Sequence, residues 1–322
     1  MTLETETVLD RRRLRRKLSV WRSLAVLVGI IAVGVMFTMR DGRVGFVQPH
    51  HIARISIEGM ITEDRAQLEL LQRVSEAKNV DGVILFVNSP GGTTTGGEAL
   101  FAALRRLAEK KPLVAQFGTV AASAAYIAGL GTDHIVARGN TITGSVGVIM
   151  QWPEVSELLA KLGVKMNEIK SGPLKASPSP FQPIDEPSRQ VAQAMIIEGQ
   201  RWFLELVTTR RNVKTAEIPG LEQGRVFSGR EAQTHKLVDE IGGEIEAKRY
   251  LQEKRNVQKD LKIVDWKPKR QSDWPLGTSE AGIFGWLAGR MFGDLGARLA
   301  QDPSLGSLGL DGLVSVWHPG KN

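Results

Sequence analysis

The chain has 322 residues, 42% of them hydrophobic, which is enough to bury a sizeable core in one or two domains and excludes a disordered tail. The net charge of +7 does not describe a nucleic-acid surface: the first 40 residues hold eight Lys or Arg against three acids, and the remaining 282 carry 34 basic and 32 acidic side chains. There is no cysteine, so disulfide and metal-thiolate chemistry are excluded.

The chain opens with a basic cluster, RRRLRRK, followed by an uncharged run from Ser23 to Met39. Extended back through Leu18, Val20 and Trp21, with Arg22 snorkelling, this run reaches the length a bilayer core requires. Residues 1–17 are therefore read as a cytoplasmic segment, 18–39 as a single transmembrane anchor and 40–50 as a linker, with the body on the far side of a bacterial inner membrane by the positive-inside rule. A cleaved signal peptide is the rival reading. The run exceeds the usual apolar centre of such peptides, and MFTMRDG offers no small-x-small cleavage site.

Beyond the linker, alternation in His51 to Ile61 predicts a strand, and the spacing of Leu68, Leu70, Leu71 and Val74 a helix. DGVILFVNSPGG is an apolar run ending in glycines, GGEALFAALRRLAEK a helix and PLVAQFG a strand. A short helix opens around Ala121 to Ser123, after which HIVARG and SVGVIM read as two further strands. Short apolar strands alternating with helices of ten or more residues predict an α/β domain with a mainly parallel sheet. SGPLKASPSPFQP is a polar loop, and Ile184 to Arg211 a long amphipathic helix suited to packing against a neighbouring subunit. The α/β pattern continues through DLKIVDW, giving a domain over 51–265. Residues 266–322, rich in Gly and Trp, form an extension for which packing, membrane contact and looseness all remain open.

Ser123, in VAASAAYIAGLG, sits where a strand turns into a helix, beside backbone N–H groups that can stabilise an oxyanion. A serine there equally serves as an ordinary helix N-cap. The glycines of SPGG serve a tight turn or let an N–H face a bound carbonyl. A nucleophilic serine needs a base. None of the five histidines has a catalytic context, and His134, opening a strand, suits a surface or packing role. The other activator is a lysine desolvated enough to be neutral near pH 7, for which EIKSGPLKAS supplies Lys170 and Lys175. A loop lysine is ordinarily just a solvated charge.

VNSPGG, AASAAY, TGSVGVIM, IKSGPLK and GRVFSGREA…LVDEIGG occur in that order, and together they resemble the signal peptide peptidase A family, the S49 group of membrane-bound serine-lysine peptidases, over roughly Ile52 to Lys248. The resemblance implies a Clp-protease/crotonase-like α/β fold of repeated ββα units. It implies Ser123 as nucleophile, Lys175 as general base with Lys170 a structural neighbour, the amides of Gly92 and Ala124 as oxyanion hole, and Ser145 as the hydroxyl that orients the lysine. It further implies a homo-oligomer whose nucleophile and base come from adjacent subunits, hydrophobic peptide substrates such as residual signal peptides, lipid contact through the anchor, no nucleic-acid partner, and no metal or organic cofactor. An acyl-CoA enzyme of the same fold, a peptidase for one particular membrane protein and a non-catalytic peptide-binding scaffold are the alternatives. The chain departs from the family pattern at three places: Ala124 and Ala125 replace two glycines, KAS replaces a lysine-aspartate pair, and HKL stands where a glycine-leucine pair is usual.

Overall fold

A computed structural model describes residues 21–30, 49–269 and 314–316. Residues 1–49 and 50–322 form two separate compact units. In the first, residues 21–30 are helical (α1), with Trp21, Leu24, Val26, Leu27, Val28 and Ile30 exposed. Among the described residues no helix is long and apolar enough to cross a membrane; the basic segment and the remainder of the expected span, apart from these ten residues, lie outside them.

The second unit is a mixed α/β domain. Strand β1 (His51–Ile61) has the predicted bounds, followed by α2 (Arg65–Glu76), β2 (Val80–Thr93), α3 (Thr94–Ala108), β3 (Leu113–Ala122), α4 (Ala124–Leu130), β4 (His134–Ala137) and β5 (Ile142–Gly144). Then come α5 (Ser156–Lys161), α6 (Glu186–Arg211), β6 (Val226–Ser228), α7 (Gly229–Thr234), β7 (Glu240–Ile241), α8 (Glu244–Lys254), β8 (Lys262–Trp266) and β9 (Val314–Val316). The main path through the sheet is β6-β5-β3-β2-β1-β8, and β4 pairs with both β3 and β7. All pairings are parallel except β5 with β6 and β2 with β9, in line with the crossover pattern read from the sequence.

Both faces of the sheet are covered, so β2 reads as a near-continuous apolar run rather than an alternating one. On one face Ile55, Leu85 and Ala115 pack with Leu70, Leu71 and Val74 of α2, Leu100, Leu104 and Leu107 of α3, and all of α4. On the other, Ile52, Ile84, Val114 and Val136 pack with Ala247 and Leu251 of α8. The helices start at side-chain caps: the Asp64 carboxylate accepts from the amides of Ala66 and Gln67, and Thr93 Oγ1 accepts from the amide of Gly96.

One predicted strand is displaced. SVGVIM was expected to be a strand, but β5 is ITG, ending at Gly144; Gly144 (φ 82°) and Ser145 (φ 52°) then turn the chain away from the sheet. Two consecutive left-handed residues cannot continue a ladder.

Candidate active site

β2, β3 and β5 run parallel and adjacent, so the three motifs at their C-terminal ends, NSPGG, AAS and TGS, arrive at one end of the sheet. In open parallel sheets this is the end at which ligand crevices form. The register is direct: Ser89 lies opposite Ala121, and Ala122 opposite Gly144.

Ser123 is the single residue between β3 and α4. Its backbone has φ 58° and ψ −120°, a region costing an L-residue about 1–3 kcal/mol. An ordinary N-cap residue has extended backbone and a side chain accepting from the helix's first amides. Ser123 has neither, since its hydroxyl makes no capping bond. Its amide donates to the Gly144 carbonyl at 2.9 Å, and its carbonyl accepts from Ile127 at 3.0 Å; with 1% of its surface exposed, the turn is held at both ends.

The surrounding side chains account for how this conformation is sustained. At the register shift where β2 and β3 part, Asn88 Oδ1 accepts from the amides of Thr119 (3.1 Å) and Val120 (3.2 Å), standing in for missing ladder bonds. Buried Thr143 donates its hydroxyl to the Ala121 carbonyl at 2.7 Å. Buried Ser89 accepts from the Gly91 amide at 3.1 Å and so folds the SPGG segment on itself. Every residue of α4 is buried. Tyr126 within it donates its phenol to the Leu237 carbonyl at 2.8 Å, with burial holding the phenol well above its usual range. Arg210 of α6 caps the other end of α4, donating to the carbonyls of Leu130 (2.8 Å) and Thr132 (2.9 Å). Asn88, Ser89, Thr143, Tyr126 and Arg210 were not singled out from the sequence. Asn88 and Ser89 fall inside the quoted VNSPGG string, Tyr126 inside AASAAY and Thr143 inside TGSVGVIM, whereas Arg210 lies outside the quoted motifs; Tyr126, Thr143 and Arg210 act through pairings distant in the chain.

The structure accommodates one departure from the family pattern and shows two others at positive φ, where the usual residue is better suited. The Ala124 methyl faces α3, where a Cβ at Gly97 would stand only 3.3 Å from it, so a glycine in α3 makes room for the alanine in α4. Ala125 is fully buried in the core. Lys236 of HKL has φ 59°, just beyond α7, at the helix-end position where glycine is at ease. Ala176, following Lys175, has φ 57°, a conformation that an aspartate tolerates better than an alanine does.

The expected site residues separate into two groups. Gly92 lies on β2 opposite Ile61, where a Cβ would fall 1.8 Å from the Ile61 carbonyl oxygen, so packing alone demands glycine. Ser145 follows Gly144, with its amide donating to the Arg225 carbonyl at 2.9 Å. Gly92, Ser123, Ala124 and Ser145 therefore share one end of the sheet. Lys175 belongs to no strand or helix; it is exposed, on a turn whose amide donates to the Gly172 carbonyl at 3.1 Å. Lys170 is mostly covered and pairs with Glu168 at 2.6 Å. His134 has the packing role expected of it, stacked on Tyr250 with ring centroids 4.0 Å apart. A cavity of about 930 Å³ lies against the β1 and α2 side of the sheet, lined by Met60, Ile61, Thr62 and Gln67 among others, and Ser123 does not line it.

Residues 105–258 match Peptidase family S49, and residues 51–140 match Clp protease. A putative protease of Synechocystis sp. is 34% identical over 201 residues, which are 62% of this chain and 72% of that protein. The chain belongs to peptidase family S49. A putative signal peptide peptidase SppA of Enterococcus faecium is similar at 32% identity over 230 residues, 67% of each chain. Protease 4 of Haemophilus influenzae is 32% identical over 228 residues, 68% of this chain and 37% of that protein. The fold expected of a Clp-protease domain and the membership of a protease family thus stand together, on a chain that spans 37 to 72% of the length of these relatives.

Proposed function

We propose that this S49 member is a membrane-anchored serine endopeptidase with a Ser123–Lys175 dyad, cleaving hydrophobic peptides such as residual signal peptides. The observation that carries the reading is Ser123 itself: a buried serine held at φ 58° between strand and helix, with its hydroxyl not spent on capping. Strain of this kind persists only where the surroundings enforce it, and it is a recurrent way of presenting a nucleophile at a strand-to-helix turn.

In this mechanism Lys175 Nζ, as the neutral amine, takes the Ser123 hydroxyl proton while Oγ attacks the peptide carbonyl carbon. The amides of Gly92 and Ala124 hold the developing oxyanion, and Ser145 orients the lysine. The C–N bond breaks as the ammonium returns the proton to the leaving amine. A water deprotonated by Lys175 then releases the acyl group. A neutral lysine near pH 7 has to be desolvated. Lys175 is exposed in the single chain, so the covering surface is read as a neighbouring copy in a homo-oligomer with shared sites. Ile149, Leu158, Leu162, Met166, Ile169 and Leu174, all exposed in the stretch of chain that leads to Lys175, support this reading, because so many exposed large apolar side chains in one segment suit a surface that a partner covers.

Residues 18–39 are read as the anchor, with 1–17 cytoplasmic and the peptidase domain, 51–265, outside; the uncharged run and the helix at 21–30 support it. The test is labelling of the full-length protein in detergent with a serine-directed fluorophosphonate. A single adduct mapping to Ser123, lost in Ser123→Ala, is expected; labelling elsewhere, or none, overturns the assignment.

A further inference from the structure

The 930 Å³ cavity that Ser123 does not line lies along the outer edge of β1. Strand β8 accompanies β1 only from His51 to Ile55, and among the described residues no strand pairs with that edge from Ser56 onward. The cavity follows the open edge to Met60 and Ile61 and reaches the first turns of α2 and α3 at Gln67 and Gly96, at the same end of the sheet as the serine turn. Its volume is that of a ligand site. β1 and β3 flank β2, so this edge and Ser123 stand about two strand spacings apart, roughly 10 Å, which an extended chain crosses in about three or four residues.

The lining describes what would fit. An open strand edge presents main-chain N–H and C=O groups to an extended peptide. Buried Ile57 and Leu100 with half-buried Trp266 offer apolar surface. Gln67 Nε2 is buried with no hydrogen-bond partner among the described residues, so a carbonyl oxygen entering the cavity would satisfy it. The charge is one-sided, with five carboxylates against Arg54 and Lys267. Arg54 is held at 2.6 Å by both Glu244 and Asp265, and the Asp64 carboxylate accepts from the amides of Ala66 and Gln67. Glu58 and Glu63 remain, exposed and without an ion pair among the described residues.

We propose that this cavity is an exosite that takes a basic residue of an apolar peptide substrate a few residues from the scissile bond, Glu58 and Glu63 holding the cation and Gln67 a main-chain carbonyl. This rests on the reading of Ser123 as nucleophile and adds to it a selection for apolar peptides that carry a lysine or arginine. Glu58 and Glu63 touch no reacting atom, so their contribution is to substrate affinity.

The test uses the full-length Ser123→Ala protein in detergent, which binds without turnover. Dansyl-labelled apolar decapeptides with two lysines at the amino end, two at the carboxyl end, or none are titrated by fluorescence anisotropy. At low salt one lysine-bearing peptide is expected to bind about fivefold more tightly than the lysine-free one, with the advantage fading as salt rises. Glu58→Gln/Glu63→Gln, which keeps shape and removes charge, is expected to abolish the advantage and leave the Kd of the lysine-free peptide unchanged. Gln67→Met is expected to weaken all three peptides about threefold to tenfold. No lysine preference, or one that survives in the double variant, would overturn the exosite; unchanged affinity in Gln67→Met would overturn the carbonyl contact. Phosphonate labelling of the wild type separates the two readings: a lysine preference without labelling at Ser123 strikes the nucleophile and leaves the binding site, whereas labelling without a preference strikes the exosite alone.

Discussion

The serine turn and the lysine turn are built by opposite means. Around Ser123 each backbone group named above is tied by a ladder, a cap or a side chain reaching from a distant strand, and the helix that follows is wholly buried. Around Lys175 the chain lies exposed in a segment with large apolar side chains facing water, and helix α5 buries no residue. One region carries its own packing. The other has surface that becomes favourable only when covered, at about 1.5–3 kcal/mol for each large apolar side chain fully buried. The contrast is the physical basis for the proposal that the serine and the lysine of one site come from different copies of the chain.

The sharpest break in the contrast is at the dyad. Ser123→Ala and Lys175→Ala are each expected to lower kcat by at least about 10³-fold with the fold unchanged, checked by peptide hydrolysis and circular dichroism. On the self-contained side, Gly92→Ala would force a Cβ into the Ile61 carbonyl and is expected to cost about 3 kcal/mol or more, lowering Tm together with activity. Asn88→Ala leaves the amides of Thr119 and Val120 unpaired; a loss of about 2 kcal/mol is expected from denaturant unfolding, with a falling kcat as the Ser123 turn loosens.

Tyr126→Phe removes one buried hydrogen bond, for about 1 kcal/mol. Its pH signature follows from the raised phenol. Buried Tyr126 stays neutral while the unfolded chain's tyrosine ionises, so the wild type holds its full stability below pH about 10 and loses it as pH rises toward the folded value. Tyr126→Phe should therefore have a flatter alkaline stability profile. At the smallest scale, Lys236→Gly relieves a left-handed lysine and is expected to add about 0.5–1 kcal/mol. On the exposed side, Ile169→Glu is expected to leave chain stability nearly unchanged while lowering the mass measured by sedimentation.

Much of the fold was legible because it is local. The alternation in His51 to Ile61 predicted β1 at its observed bounds, the leucine spacing located α2, and GGEALFAALRRLAEK was read as the helix that α3 largely covers. Helix α5, six residues with none buried, left no periodicity to read. The strand placed on SVGVIM failed because backbone dihedrals at Gly144 and Ser145 overrode an apolar run. The serine was visible by its position among small residues, but not its φ, which depends on Asn88 and Thr143 acting across the sheet. Pairing of β9 with β2, over more than 200 residues of sequence, leaves no local signal at all.

The account's central claim is that the serine and the lysine of one site come from two chains, and mixing tests it most directly. Ser123→Ala and Lys175→Ala proteins, each inactive alone, would be dissociated, combined in equal amounts and reassembled, with hydrolysis of a fluorogenic apolar peptide followed. A site shared between neighbours keeps both wild-type groups in roughly a quarter of random pairings, so recovery toward roughly a quarter of wild-type activity is the predicted result. A mixture that forms mixed oligomers and stays inactive would contradict it.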